Sequence, residues 1–474
     1  MRLAACTSAA VLIAFAAVSA AAEPKALPAP IQAVLEHRRL PADSLSLYVR
    51  DLSTNEVVLR WNDDVSRNPA STIKLLTTLV ALDVLGPTYE WQTDVYAMGD
   101  VEDGRLHGDL LLRGGGDPYL VTERVWQMLR RVRQAGIREI DGDLLIDDSY
   151  FDVTDYDPAA FDNQPLRAYN VAPNALLMNF KVVRYLFEPD PDGAGVRVRA
   201  DPPLPNLRID NRLALKPGPC RGYQRGITIS ANDAFDRMTF SGSFPAGCVH
   251  YVMDRTALSP NAFAYGLFVS LWRESGGTFD GGWKNVVTPE DAVPIVEFES
   301  LPLADVIARI NKYSNNVMAR QLLYTLSAQE LGAPGNEAGG RKVVADWLTA
   351  HGMRSCALDY ENGAGLSRDT RITARDLGML LDFAWQQPYM PEFVASLSLS
   401  GLDGTLSARL DDGPLTGAAH LKTGSLDHVT AIAGYLQARS GHRYTLVALQ
   451  NYNDVHRGPG EEVQEALLSW LYEQ

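Results

Sequence analysis

The strongest constraint on the fold is a change of pattern partway along the 474-residue chain. Leu75, Leu76, Leu79, Val80 and Leu82 recur at helical spacing until Gly86-Pro87 stops them. From about 89 to 289 strand patterns take over, at 93–96, 109–112, 144–146, 196–198, 227–229 and 249–253. One helix, 124–134, interrupts them, and Pro and Gly are dense. Helical spacing returns at 304–310, 317–329, 342–349 and 376–385. Strand-like runs at 420–423, 431–438 and 444–450 follow, the last two joined at Arg439-Ser440-Gly441-His442, and an acidic helix, 461–472, closes the chain. The pattern predicts an α+β chain in which a mainly β insertion of one or two domains, 89–289, interrupts a domain made from 23–88 and 290–474. A floppy loop of that length would cost roughly 3 kcal/mol more to close than one of a few residues, and a folded insertion with adjacent ends avoids most of that.

The N-terminal part has its own logic. Residues 3–18 are almost wholly small or apolar after Met1-Arg2, and Ser19-Ala20-Ala21-Ala22 offers small-residue cleavage sites before Glu23. This predicts a secretory signal peptide over 1–22 and a periplasmic destination, with no transmembrane anchor once it is removed. A short helix at 28–40 and a hairpin of strands 45–49 and 57–61 around Ser53-Thr54-Asn55 come next. In an exported chain cysteines can pair, and Cys220 and Cys248 in a turn-rich region are the expected pair, with Cys356 left as a buried thiol. No C-x-x-C occurs and the eight histidines show no close metal spacing, so a zinc enzyme is not expected, and the chemistry read below needs no metal or organic cofactor. The net charge of −15 excludes nucleic acid as a main partner.

Lysine is scarce, eight in all, and only Lys74 has a serine three residues before it. Ser71 and Lys74 project from one face of the helix, near its N-terminus, where the dipole favours negative charge on a nucleophile. The following Leu75-Leu76 predicts a desolvated amine, lowered in pKa and able to act as a base. Lys422-Thr423-Gly424 is the only K-T-G, on a predicted strand before Ser425. Glycine there allows close backbone approach, and the lysine and hydroxyl suit a carboxylate. S-x-N occurs five times, at Ser53–Asn55, Ser66–Asn68, Ser230–Asn232, Ser259–Asn261 and Ser314–Asn316. Only Ser314-Asn315-Asn316 falls between two strong helices; the other four read as turns, caps or insertion loops. Gly114-Gly115-Gly116 lacks a following G-K-[ST], so it reads as a turn rather than a phosphate loop.

S-x-x-K, S-x-N and K-T-G in this order are the set shared by penicillin-binding proteins and class A β-lactamases. Ser314 lies 243 positions after Ser71, and Lys422 lies 108 after Ser314. So large an insertion behind the nucleophile helix resembles the class C low-molecular-mass penicillin-binding proteins, which are D-alanyl-D-alanine carboxypeptidases/endopeptidases. Other stretches resemble that family: 108–118, Asp147-Asp148-Ser149-Tyr150-Phe151, Gly363-Ala364-Gly365-Leu366-Ser367-Arg368 and Asp403-Gly404-Thr405-Leu406. The resemblance covers essentially the whole mature chain. It implies a penicillin-binding transpeptidase fold, an antiparallel sheet flanked by helices, and acyl transfer from peptidoglycan peptides, with β-lactams as inhibitors. It implies Ser71 as nucleophile, Lys74 as base, Ser314 as proton relay to the leaving amine and Asn316 holding the substrate amide. Lys422, Thr423 and Ser425 bind the terminal carboxylate, and the Ser71 and Ser425 N–H groups form the oxyanion hole. Asp147 is the position matching an aspartate that can meet the side-chain amine of the wall diamino acid. Two other readings stay open: a β-lactamase, for which no deacylation base can be assigned, and a non-catalytic wall scaffold.

Overall fold

A computed structural model describes residues 26–154, 156–193, 195–222, 226–353 and 357–474. The expected signal segment and Cys356 lie outside them. A six-stranded sheet carries the chain's two ends together, in the order Ser398–Leu399, Ala419–Leu426, Val429–Gln437, Arg443–Asn451, Leu45–Asp51, Val57–Trp61. Every pairing in it is antiparallel. The expected hairpin near the N-terminus and the expected neighbouring strands near the C-terminus are thus parts of one sheet. Val429–Gln437 is buried on both sides for all but its last residue. Its near-continuous apolar sequence follows from that, because helices cover both faces of the sheet. Leu467, Leu468 and Leu471 of the terminal helix Pro459–Tyr472 and Ile31 and Leu35 of Ala29–Arg38 fill one face. On the other face Lys74–Leu85, Leu303–Tyr313, Asn316–Leu331 and Ala374–Trp385 enclose a second core.

Between these halves the chain builds a separate apolar core, running from Val95 to Phe298. A seven-stranded sheet and two three-stranded sheets contribute to this one continuous cluster. Cys248, buried in it, is bridged to the exposed Cys220. The helix Thr122–Gln134 falls where its apolar spacing predicts. A second helix, Pro260–Glu274, is not predicted from the sequence. Its Phe263, Ala264, Leu267, Phe268, Leu271 and Trp272 are all buried. Apolar on nearly every side, it shows no polar face for periodicity to reveal. Ser259, one of the S-x-N matches read as turns, caps or insertion loops, is its N-cap and accepts from the Ala262 N–H at 3.3 Å.

The ends of this block are clasped. The Trp91 N–H donates to Ser300 Oγ (2.9 Å) and the Ser300 N–H returns to the Trp91 carbonyl (2.8 Å). Gln92–Glu102 then runs antiparallel to Val296–Glu299.

Candidate active site

Ser71 belongs to a 3₁₀ turn, Ala70–Ile73, that leads directly into the helix Lys74–Leu85. The expectation placed it in the first α-helical turn. The tighter winding eclipses residues i and i+3, which points the Ser71 hydroxyl and the Lys74 side chain the same way. The turn is set by Ala70, left-handed at φ 46°. Asn68, in an S-x-N match read from sequence as a turn, cap or insertion loop, holds it: Asn68 Oδ1 accepts from the Ala70 N–H (2.8 Å), and Nδ2 donates to the Ser367 carbonyl (2.9 Å). Two glycines let other chain segments come close. A Cβ on Gly365 would lie 2.1 Å from the Ala70 carbonyl, and one on Gly424 would lie 2.7 Å from the Pro69 carbonyl and 3.0 Å from the Ser71 nitrogen. The K-T-G strand therefore abuts the nucleophile turn because its third residue has no side chain.

Lys74 is fully buried. Its Nζ lies 3.0 Å from Ser71 Oγ, 2.6 Å from Asn316 Oδ1 and within hydrogen-bond distance of the Ala364 carbonyl. Burial pushes its pKa well below the usual lysine value, and the charges of Lys422 and Arg320 push in the same direction. A neutral amine has two hydrogens and one lone pair. Asn316 Oδ1 and the Ala364 carbonyl can only accept, so they take the two hydrogens. The lone pair is left facing the Ser71 hydroxyl, which is the geometry of a general base.

Ser314 ends the helix Leu303–Tyr313 in the left-handed region at φ 55°. Such a conformation costs a serine roughly 1–2 kcal/mol, and non-glycine residues held there cluster at functional sites. Asn315 caps the next helix by accepting from the Met318 N–H (3.0 Å), and Asn316 is that helix's first residue. Lys422, also fully buried, donates to Ser314 Oγ (2.9 Å) and to the Thr423 carbonyl (2.8 Å). Burial lowers its pKa to about 7. Thr423 Oγ1 meets Thr405 Oγ1 at 2.8 Å, and Ser425 is exposed. Thus Ser71, Lys74, Ser314, Asn316, Lys422, Thr423 and Gly424 converge from three segments of chain. The Ala364 carbonyl, Asn68 and Thr405 join them without a role read from sequence; Ala364 and Thr405 sit in stretches noted there only for their resemblance.

Asp147 takes no part in this cluster. It ends the strand Leu144–Asp147 in the insertion and is buried. Its Oδ1 accepts from the Ser149 N–H (3.0 Å) and Oγ (2.6 Å), and its Oδ2 from the Thr288 N–H (2.8 Å) and Oγ1 (2.5 Å). Burial alone would raise its pKa, but these hydrogen bonds outweigh it and hold the group below the ordinary aspartate value. All four acceptor sites of the carboxylate are filled.

Among the described residues, His428, Asp454 and His456 bring possible metal donors within 4.8 Å of one another. Both Nδ1 atoms already accept backbone N–H groups: His428 from Asp454 (3.0 Å) and His456 from His428 (2.9 Å). Each ring hydrogen then sits on Nε2, and neither ring offers a free lone pair.

A cleft of about 610 Å³ runs along the far side of the Ser314 loop. The loop and Tyr313 form one wall, and the insertion supplies most of the rest. Asn179, Phe180 and Lys181 are all left-handed in succession there, at φ 47°, 53° and 55°. Phe180 packs on the cluster of Val171, Leu177 and Val317, the last beside Asn316.

The family model for the D-Ala-D-Ala carboxypeptidase 3 (S13) family matches residues 27–474. A D-alanyl-D-alanine carboxypeptidase of Actinomadura sp. strain R39 is 29% identical over 94% of this chain and 84% of its own. One from Haemophilus influenzae is 22% identical, covering 87% of each. The crystal structure of Haemophilus influenzae penicillin-binding protein 4 superposes with a TM-score of 0.80 at 21% identity, over 94% of this chain and 99% of that one. The shared fold is that of a penicillin-binding protein, and with the matched family model it identifies this chain as a serine-type DD-peptidase belonging to the D-Ala-D-Ala carboxypeptidase 3 (S13) family.

Proposed function

We propose that the chain hydrolyses peptide bonds following D-alanine in peptidoglycan stems and cross-links, through an acyl-enzyme on Ser71. The Ser71 hydroxyl gives its proton to neutral Lys74 as Oγ forms a bond to the D-alanine carbonyl carbon. The N–H groups of Ser71 and Ser425 hold the resulting oxyanion; one such donor is worth on the order of 10²–10³ in rate. The C–N bond then breaks, and the leaving amine takes a proton through the Ser314 hydroxyl, which Lys422 supports at 2.9 Å. Asn316 serves the substrate amide, and Lys422, Thr423 and Ser425 the terminal carboxylate. Water hydrolyses the ester and returns the enzyme. Asp147, with its acceptor sites filled, belongs in this reading to the frame of the insertion. Residues from Tyr89 to Ser300 form an added module that walls the substrate cleft.

The observation that carries this reading is the buried Lys74 amine 3.0 Å from Ser71 Oγ, with its other two contacts made to acceptors, Asn316 Oδ1 and the Ala364 carbonyl. A β-lactam presents a strained amide beside a carboxylate, so it acylates the same hydroxyl. A second structure of the Haemophilus protein is a complex with a β-lactam, which supports the expectation. The leader at 1–22 and the wall substrate together support a periplasmic enzyme. Among the described residues no helix is long and apolar enough to cross a membrane. The test is mass spectrometry after incubation with a penicillin. The adduct is expected on the peptide that carries Ser71; an adduct elsewhere, or none, refutes the assignment.

A further inference from the structure

Resting on the reading of Lys74 as the base, we infer that Arg320 is a positioning residue whose unquenched charge, held in place by the insertion, keeps the Lys74 amine in its proton-accepting form. Arg320 lies on the helix Asn316–Leu331, four residues after Asn316. Positions four apart share a helix face, with Cβ atoms about 5–6 Å apart. Asn316 Oδ1 is 2.6 Å from Lys74 Nζ, so Arg320 belongs to the turn next to the one that touches the amine. A buried arginine normally has a carboxylate beside it, because an ion taken out of water needs a counter-charge. Arg320 is 3% exposed, yet among the described residues no carboxylate lies within ion-pair distance of it. Its Nη1 donates to the Tyr169 carbonyl (2.9 Å) and the Val171 carbonyl (3.3 Å), both in the insertion, and its Nε has no partner.

The groups around the guanidinium leave its charge uncancelled. The Tyr156 ring lies 5.3 Å from it, with the hydroxyl donating to the Asn170 carbonyl (3.1 Å). Burial raises the pKa of Tyr156 and of Tyr324, so both stay uncharged. Glu337, on the neighbouring helix Glu337–Ala350, bears on Arg320 electrostatically, but its ion pair is with Arg341 (3.8 Å). Carbonyls and a ring face satisfy a guanidinium without neutralising it, and in a medium of low polarity such a charge reaches further than in water. Lys74 feels it in the sense that disfavours a second cation. The contacts of Lys74 itself, Ser71 Oγ, Asn316 Oδ1 and the Ala364 carbonyl, carry no full charge. The other cation facing Lys74 is Lys422, whose pKa of about 7 lets it lose its proton near neutrality. A guanidinium keeps its proton at every working pH, so Arg320 is the member of this pair that goes on repelling a protonated Lys74. The insertion, through the carbonyls of 169 and 171, thereby holds the charge that tunes the base.

The experiment follows the rate of Ser71 acylation by a fluorescent penicillin from pH 6 to 10 on the full mature chain, with melting curves on each sample. The parent is compared with Arg320→Gln, Arg320→Met and Arg320→Lys. Gln keeps an amide donor for the Tyr169 carbonyl and Met keeps the apolar stem, so the two neutral variants fail to fold for different reasons and either one, folded, is sufficient. Without the repelling charge the midpoint of the Lys74 limb should move upward by at least about half a pH unit in the neutral variants. Arg320→Lys, which restores a cation, should bring the midpoint back toward the parent's. A residue that only braced the helix would lower the rate at every pH and leave the midpoint where it was, and that result overturns the inference. If the parent itself lacks the limb, the reading of Lys74 as base fails. If the parent shows the limb and a folded neutral variant does not move it, only the role of Arg320 fails.

Discussion

Replacing Lys74 by Met separates a catalytic amine from a structural one. The side chains are similar in length and shape, so the change removes one nitrogen and little packing. That nitrogen serves two acceptors, Asn316 Oδ1 at 2.6 Å and the Ala364 carbonyl, whose residue is fully buried. Leaving a buried acceptor without a donor costs about 1–3 kcal/mol. Removing a fully desolvated amine offsets part of this. With two such acceptors the loss is at most about 6 kcal/mol before that offset, at the low end of the usual 5–15 kcal/mol of a domain, and the melting curves report whether the variant folds. The rate behaves differently. A positioned base is worth about 10²–10⁴, or about 2.7–5.4 kcal/mol of barrier. The assay is the pseudo-first-order rate of labelling by a fluorescent penicillin, followed from pH 6 to 10, with melting curves on the same samples. Only the neutral amine can take the Ser71 proton. In the parent the rate should rise as pH passes upward through the depressed Lys74 pKa, and the variant should lack this limb. A folded Lys74→Met variant labelled within tenfold of the parent, or keeping the limb, refutes the assignment of Lys74 as base.

Three further outcomes can be checked. The folded pKa of Lys422, about 7, lies below that of a free lysine. Between these values the unfolded chain binds the extra proton, so stability should climb as pH rises from 7 to 9; Lys422→Met should flatten this slope in melting temperature, and an unaltered slope contradicts the burial argument. Ser314→Gly removes the hydroxyl but suits the left-handed backbone, so melting should move by no more than about 1 kcal/mol in stability while DD-peptidase turnover falls roughly 10²-fold; turnover near the parent's would rule out the relay. Cys220→Ser with Cys248→Ser opens a bridge spanning 28 positions and should destabilise the insertion by about 3–4 kcal/mol on the loop-entropy account. Acylation of Ser71 at a temperature below the new transition should persist, and its loss would show that the insertion's integrity is needed for the chemistry.

The catalytic cluster was legible because its three motifs are rare in combination and each sits on an element with a clear pattern. Five S-x-N matches were reduced to one by asking which lay between strong helices, and Ser314 does meet Lys422 at 2.9 Å. Contributions made by backbone, or by residues that look like ordinary turn formers, were not legible. The Ala364 carbonyl has no side-chain signature, and Asn68 looked like any asparagine before a proline. In the insertion, alternation marked several strands, but the helix Pro260–Glu274 was hidden by its own burial. The left-handed run at 179–181 contains no glycine to announce it. The filled acceptor sites of Asp147 depend on Thr288, 141 residues away, a partner no local pattern could supply.

The clasp between Trp91 and Ser300 has a consequence for how such chains can vary. The chain enters and leaves the insertion at this clasp, and the insertion also lies along the helix Asn316–Leu331, where the Asn174 N–H donates to Gln321 Oε1 (2.9 Å) and Arg320 donates to the Tyr169 carbonyl (2.9 Å). Of the reacting groups, Asn316 is thus on an element held partly by the insertion, whereas the turn bearing Ser71 rests on Asn68, Gly365 and Gly424 of the catalytic half. Variation on the insertion's outer strands can therefore pass without moving the reacting groups, while variation at 169–175, which lie on that helix, reaches Asn316.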